Sequence, residues 1–345
     1  MKRKLVRIMY VVTPVMLVLL LALNVFTIFK VKALEESAGG EETEDVAQEN
    51  DVTVGGEYVI KATTQISDAY KSGNASNLSD KDKETLGMAK SVLDEIITDG
   101  MSDYEKELAV YKWMTANIGF DSGSMTGIPA DKNKPVDNPN GVLKNHEAVC
   151  VGYATTFRLF MQMLGIDCMV VHDSHLSHSW DIVKLDGQWY HTDIYSDAGS
   201  GEGNFSHFNL NDETMMNSQE WNTDFFPAAD GYEYNYAYVN RTQCKDVYTI
   251  PEQMRAAVGA RQGVVSLDFG KDISDDIYNL ADTIMNSVEN TVVFNAGYGV
   301  SFSWSWLEAG DDNVFCVYIN YEKTEDPDVD PGVTDEIQQK IDDAV

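Results

Sequence analysis

HSWDIVKLDGQWYHTDIY, residues 178–195, carries two runs of β-branched and aromatic residues on either side of Asp186-Gly187. That dipeptide suits a two-residue type I′ turn, in which both central residues take positive φ, so the stretch predicts a β-hairpin. Pairing outward from the turn sets Leu185 against Gln188, Ile182 against His191, Trp180 against Asp193 and His178 against Tyr195. Directly opposed residues share a face of the sheet. His178, His191 and Asp193 therefore point one way and Asp181 the other. Diagonal neighbours lie roughly 7–8 Å apart, within reach for an Asp193 carboxylate to hydrogen-bond the His178 imidazole.

Upstream, VGYATTFRLFMQML (151–164) has apolar residues at helical spacing and Gly165 as a stop, which predicts an amphipathic helix with Cys150 in its first turn. DCMVVHD follows as a short strand. Two earlier helices are expected. One runs from Ser79 to a stop at Gly100. The other opens with Ser102 and Glu105 in capping-box register and carries a core stripe of Leu108, Tyr111, Met114 and Ile118. Asp121 to Gly141, rich in Gly, Pro, Asn and Asp, is expected as a long loop, and the Gly-rich SDAGSGEGN as another. The aromatic-rich segment from Phe208 to Asn240 reads as irregular packing around the domain. Beyond Lys245 the pattern becomes a helix from Pro251, a strand in GVVSLDF, a helix from Ser274 to about Asn290, and strands in TVVFNAG, VSFSWSWLE and VFCVYINYE.

The ends of the chain differ from its middle. MKRKLVR carries four positive charges, and Ile8 to Phe29 then runs 22 residues without a charge. At about 1.5 Å per residue that length of helix crosses a hydrocarbon core of ~30 Å. The basic start places the N-terminus in the cytoplasm and the rest outside. Val31-Lys32-Ala33 offers the alternative of a cleaved signal and a secreted product. Nine acids and no basic residue between Lys32 and Lys61 read as a self-repelling disordered spacer. The expected organisation is a membrane or signal helix (1–32), an acidic linker (33–56), an α+β domain (57–244), a small α+β domain (245–322) and an acidic tail (323–345). A net charge of −31 excludes nucleic acid as a natural partner. Four cysteines, at 150, 168, 244 and 316, allow two disulfides in three pairings, but their wide spacing is not that of a small stapled scaffold.

All six histidines lie between His146 and His207, a crowding that core filling does not explain. A cysteine nucleophile reacts as its thiolate, which a helix N-terminus and a neighbouring imidazolium both favour. A carboxylate on the other ring nitrogen orients that imidazole. Cys150 at a helix start, with His178 and Asp193 on adjacent strands, supplies these parts, and the Cys150 backbone N–H is an oxyanion donor. The second donor is not evident. The blander reading makes Cys150 a small buried hydrophobe, as Cys168 and Cys316 are expected to be in their apolar strands. His172, His175 and His178 at three-residue steps invite a metal reading, but such steps on a strand do not keep one face. No metal or other cofactor is expected. Trp180 and Trp189 read as packing residues, with Trp180 beside Asp193. His146 and Glu147 read as polar groups at the helix start.

From about Ser102 to Asp197, the segments DYEKELAVYKWM…FD, AVCVGYATTFRLFMQMLGIDCMVV, HSW and LDGQWYHTD together resemble the transglutaminase-like family, whose members share a papain-like fold. The resemblance implies Cys150 as nucleophile, His178 as base and Asp193 as orienting acid. It implies a thiol acyl-transfer enzyme, either a peptidase or amidase or a crosslinking acyltransferase. Its substrate would be protein or peptide, with cell-wall peptide one candidate. Asp181 stands where the family usually has Asn, and Ile194-Tyr-Ser-Asp where VTWDD is common. The alternative from another class is a non-catalytic surface binding module on the same fold. The resemblance does not reach 245–322.

Overall fold

The computed structural model describes residues 51–54, 58–121, 135–174, 178–198, 203–271, 273–288, 299–310 and 312–321. The apolar stretch at 8–29, most of the linker, the loop at 122–134, the strand expected at 291–297, His175 and the tail at 323–345 lie outside the described residues. No helix among the described residues is long and apolar enough to cross a membrane. Residues 49–345 group as one compact unit.

The hairpin is built as its turn dictates. Asp186 and Gly187 have φ of 47° and 86°. Strands β6 (Ser179–Leu185) and β7 (Gln188–Thr192) pair antiparallel from Leu185↔Gln188 through Asp181↔Thr192. Strand β5 (Cys168–His172) pairs on the other side of β6, with His172 opposite Ser179. Earlier in the chain, β1 (Val52–Val54), inside the stretch expected as linker, pairs with β2 (Tyr58–Ile60), and the two-residue strands β3 (Gly119–Phe120) and β4 (Glu147–Ala148) pair in parallel.

One face of the three-stranded sheet meets α5 (Cys150–Leu164). Packed around that helix are α1 (Thr64–Ser72), α3 (Asp103–Asn117) and α4 (Pro139–Asn145), with α2 (Asp80–Ile96) against these three. Helix α5 is buried nearly all round, Thr155, Thr156 and Arg158 included, so it is a central helix rather than a surface one. Phe157, Leu159, Phe160 and Met161 are each fully buried. Burial of such a side chain stabilises by about 1.5–3 kcal/mol, and four of them weigh heavily in a fold of ordinary stability. Gly165, at φ 79°, stops α5 in the left-handed conformation that a side chain resists. The opposite face of the sheet is covered by the aromatic-rich segment after β7, where Leu210, Met215, Trp221 and Phe226 pack on Trp180 and Ile182.

Two boundaries and one buried stripe differ from expectation. Helix α2 stops at Ile96 with an extended cap at Ile97, not at Gly100, because the β-branched run Ile96-Ile97-Thr98 resists helix. Asn138 caps a helix, α4, inside the supposed loop, with Pro139 in its first turn. In α3 the capping box at Ser102 and Glu105 forms as expected. The buried stripe, however, runs through Glu107, Tyr111, Met114 and Ile118, leaving Leu108 half-buried.

After β7 come α6 (Ile194–Ala198), α7 (Asp212–Met215) and α8 (Tyr236–Val239). A second sheet, β10-β11-β9-β8, has its own core against α9 (Ile250–Gly259) and α10 (Asp275–Val288). Its strands are β8 (Thr242–Gln243), β9 (Val264–Asp268), β10 (Val300–Ala309) and β11 (Asp312–Tyr321). All four cysteines are free thiols.

Candidate active site

Cys150 is the first helical residue of α5, and unlike the other three cysteines it is not buried. The preceding Val149 is extended and offers no side-chain cap, so the first-turn amides keep their positive end toward the cysteine. The chain before α4 braces this helix start. The Val149 N–H donates to the Val136 carbonyl at 3.0 Å. The same carbonyl would lie 2.1 Å from a Cβ at Gly152, so only glycine fits there.

His178 sits just before β6 and is clamped through its backbone. The Asp173 carboxylate accepts the His178 N–H at 3.1 Å, and the Asp173 N–H donates to the His178 carbonyl at 3.0 Å. Its ring stacks on Trp180, with centroids 5.8 Å apart, and leans on Tyr195 at 5.5 Å. Nε2 lies 2.7 Å from Asp193 Oδ2. Cys150 is close enough to the imidazole to raise its pKa, and with Nε2 on Asp193 the nitrogen left for the sulfur is Nδ1. Burial alone would lower the His178 pKa. The Asp193 charge and hydrogen bond, helped by Cys150, reverse this and lift it to about 10.

Asp193 is 1 % exposed and serves two elements. Oδ1 accepts the Ser196 N–H at 3.1 Å, and Oδ2 accepts the Ser196 hydroxyl at 2.6 Å, so the carboxylate also caps α6. Burial pushes its pKa up, but the His178 charge and hydrogen bond, the nearby His207 and Ser196 more than offset this and hold it below the ordinary carboxylate value. At neutral pH the pair is an imidazolium on a carboxylate.

Two further His–Asp pairs flank this one. His191, on the same hairpin face, places Nε2 2.8 Å from Asp212 Oδ1, and its Nδ1 accepts the Trp180 indole N–H at 2.9 Å. An indole can only donate, so Nδ1 is unprotonated and Nε2 carries the hydrogen. His207 places Nδ1 2.8 Å from Asp197 Oδ1, while its carbonyl accepts the Asp193 N–H at 2.9 Å. Asp197 is fully buried and also accepts from the Tyr111 hydroxyl and, at 2.7 Å, from Ser206. Burial lowers the His207 pKa, but Asp197, assisted by Asp193, raises it on balance.

Beneath the site lies Glu107, fully buried, accepting from Thr192 Oγ1 at 3.3 Å and Asn209 Nδ2 at 2.9 Å. Burial outweighs these bonds and pushes its pKa to about 8. Asp181, on the opposite sheet face from His178, is buried beside Cys168, whose thiol donates to Oδ1 at 3.5 Å. Burial, opposed by the Arg158 charge, drives the Asp181 carboxyl well above the usual range. That shift favours the neutral carboxyl, which offers one donor and one acceptor much as Asn does.

The structure brings Cys150, His178 and Asp193 together, while the His172 ring sits edge-on to Phe226 with centroids 6.1 Å apart. Among the described residues no group of three His, Cys, Asp or Glu side chains is arranged to hold a metal ion. His146 caps α4 in the left-handed region at φ 56°. Sequence reasoning missed Glu107, Asp197 and His207. For Glu107 the signal existed: a charge at helical spacing on the stripe of Tyr111, Met114 and Ile118.

Residues 90–194 match the family model described as the transglutaminase-like superfamily, and this segment is a transglutaminase-like domain. Kyphoscoliosis peptidase of Homo sapiens is 28% identical over 131 residues, 33% of this chain and 19% of that protein. Its Mus musculus counterpart is 26% identical over 130 residues, 32% of this chain and 19% of that one. The chain thus spans about a fifth of the length of these relatives. A solved structure titled "Crystal structure of a TGase" aligns over 51% of this chain and 42% of its own, at 17% identity and a TM-score of 0.28. That score is too low to bear on the fold.

Proposed function

We propose that the domain is a cysteine acyl-transfer enzyme acting on protein or peptide carboxamides, with Cys150 as nucleophile, His178 as acid and base, and Asp193 as the group that orients His178. The observation that carries this reading is His178 Nε2 held 2.7 Å from Asp193 Oδ2, beside a Cys150 that opens helix α5 unburied and close enough to raise the His178 pKa. The similarity to kyphoscoliosis peptidases favours peptide bonds among the candidate amides.

Sulfur attacks the carbonyl carbon, and the C=O π pair moves to oxygen, which the Cys150 backbone N–H faces. As the C–N bond breaks, His178 Nδ1 gives its proton to the leaving nitrogen, producing a thioester and a free amine. His178, now neutral, removes a proton from the acceptor, which attacks the thioester and returns sulfur as the thiolate. Water as acceptor gives hydrolysis, and an amine gives a crosslink. Asp193 holds the ring and steadies its charge throughout. The enzyme is placed outside the cytoplasm, tethered by the helix expected at 8–29 or released after its removal. Cell-wall peptide is one substrate consistent with that location.

The test incubates the full chain with a library of Gln- and Lys-containing peptides and reads cleavage, ammonia release and crosslinks by mass spectrometry. Turnover by the wild type and none by Cys150→Ala is the expected result. Equal peptide retention with no turnover by either protein would instead make the domain a binding scaffold.

A further inference from the structure

A groove of about 920 Å³ opens beside β9, walled by Thr115 of α3, Gly203 and Phe205, Tyr236 of α8 and Ala256 of α9. Its fourth side is Val264, Val265 and Ser266, the first half of β9 itself. β9 pairs with β11 along its whole length, from Val264↔Tyr318 to Asp268↔Val314. On the other side β8 reaches only Leu267 and Asp268. The first half of β9 is therefore a sheet edge lying inside a groove.

The hydrogen-bond alternation shows which backbone groups face that groove. The Ile319 N–H donates to the Gly263 carbonyl at 2.8 Å and the Phe269 N–H to the Asn313 carbonyl at 2.9 Å. Odd-numbered residues of β9 thus bond to β11, and even-numbered ones present N–H and C=O to the opposite side. There Cys244 N–H donates to the Asp268 carbonyl at 2.7 Å, and Thr242 Oγ1 to the Ser266 carbonyl at 3.3 Å. The Val264 N–H, the Val264 carbonyl and the Ser266 N–H find no partner among the described residues. Ser266 Oγ, buried at the same place, has none either.

Unpaired strand edges bind extended polypeptide, because only another backbone offers N–H and C=O at the matching spacing. The groove is also lined by the stretch of chain that leads into the brace behind the candidate active site. Gly203 and Phe205 line it, and two residues on, His207 pairs its carbonyl with the Asp193 N–H at 2.9 Å. Two residues of extended chain span at most about 7 Å. We propose that this groove holds an extended segment of the polypeptide substrate as an added strand on β9, outside the residues that meet Cys150. This rests on the acyl-transfer reading and deepens it. The preferred substrates are unfolded or extended protein segments rather than small amides, and the net charge of −31 favours those that are not acidic.

The test uses the full chain carrying Cys150→Ala, so that binding is read without turnover, and reduced, carboxamidomethylated lysozyme as an unfolded basic polypeptide. Binding is followed by fluorescence anisotropy at physiological salt. Ala256 is exposed on the groove wall, so Ala256→Trp fills the groove without disturbing a core or the net charge. It should weaken binding at least tenfold, as should Val264→Pro, which removes an edge N–H, while Val264→Ala should bind like the parent. Hydrogen exchange at the Val264 and Ser266 amides should slow when lysozyme binds. Unchanged affinity in Ala256→Trp, or unchanged exchange at both amides, would overturn the groove proposal whatever Cys150 does. An unreactive Cys150 with groove-dependent binding intact would overturn the acyl-transfer reading instead.

Discussion

Two histidines on one face of one hairpin each meet an Asp at nearly the same distance, 2.7 Å for His178–Asp193 and 2.8 Å for His191 and Asp212 of α7. They differ in what the second ring nitrogen meets. In His191 it accepts the Trp180 indole, and the ring, 1 % exposed, is locked as a neutral strut. In His178, 14 % exposed, it meets the Cys150 thiol, and the ring is held as a cation up to about pH 10. A carboxylate partner does not by itself make a histidine chemical. The free nitrogen and its neighbour do.

The sharpest break of this contrast is Cys150→Ala. It should reduce turnover on the order of 10³-fold or more, as loss of a nucleophile does, with the melting temperature unchanged because the thiol is not core. Asp193→Asn should come next, with kcat falling on the order of 10²-fold or more. It also removes the main charge that raises His178. The alkaline limb of the kcat/KM profile, expected near pH 10, should move down by about one to three pH units. The stability linkage has the same sign. The His178 contribution is complete below its unfolded pKa of about 6.5 and is lost as pH climbs through 10. An alkaline limb that stays in place in Asp193→Asn would sever His178 from Asp193.

Glu107 sharpens the comparison from below, since its carboxyl is buried with no cation beside it. Its folded pKa of about 8 exceeds the unfolded value, so the native state binds a proton that the unfolded chain has lost. Stability therefore falls as pH rises from about 4.5 to 8. Glu107→Gln, which cannot ionise, should gain on the order of 4 kcal/mol over the wild type at pH 8 and less than about 1 kcal/mol at pH 5, by urea denaturation. The smallest effect is expected for Asp212→Asn. It should cost about 1 kcal/mol of stability, one hydrogen bond's worth, with kcat and the alkaline limb unmoved. A loss of kcat comparable to that of Asp193→Asn would end the distinction between strut and base.

The hairpin register and the helix starting at Cys150 were legible because each is encoded locally, by Asp186-Gly187 and by apolar residues ending at Gly165. The pairing of His178 with Asp193 followed from register arithmetic alone. What escaped was set by tertiary contact. The Asp197–His207 pair forms across a loop whose path no periodicity reveals. Glu107 on its stripe is tolerated because Thr192 and Asn209, distant in sequence, reach it. Asp193 was legible as an acid but not as the cap of α6, since the Ser196 N–H it accepts lies in a segment read as loop.

The most direct measurement is the rate of iodoacetamide alkylation of each cysteine, read by peptide mass spectrometry from pH 5 to 9, in the wild type and in His178→Gln. The account predicts that Cys150 reacts fastest of the four, and that at pH 6 His178→Gln slows Cys150 at least tenfold while leaving Cys168, Cys244 and Cys316 unchanged. Equal Cys150 rates in the two proteins at every pH would contradict it.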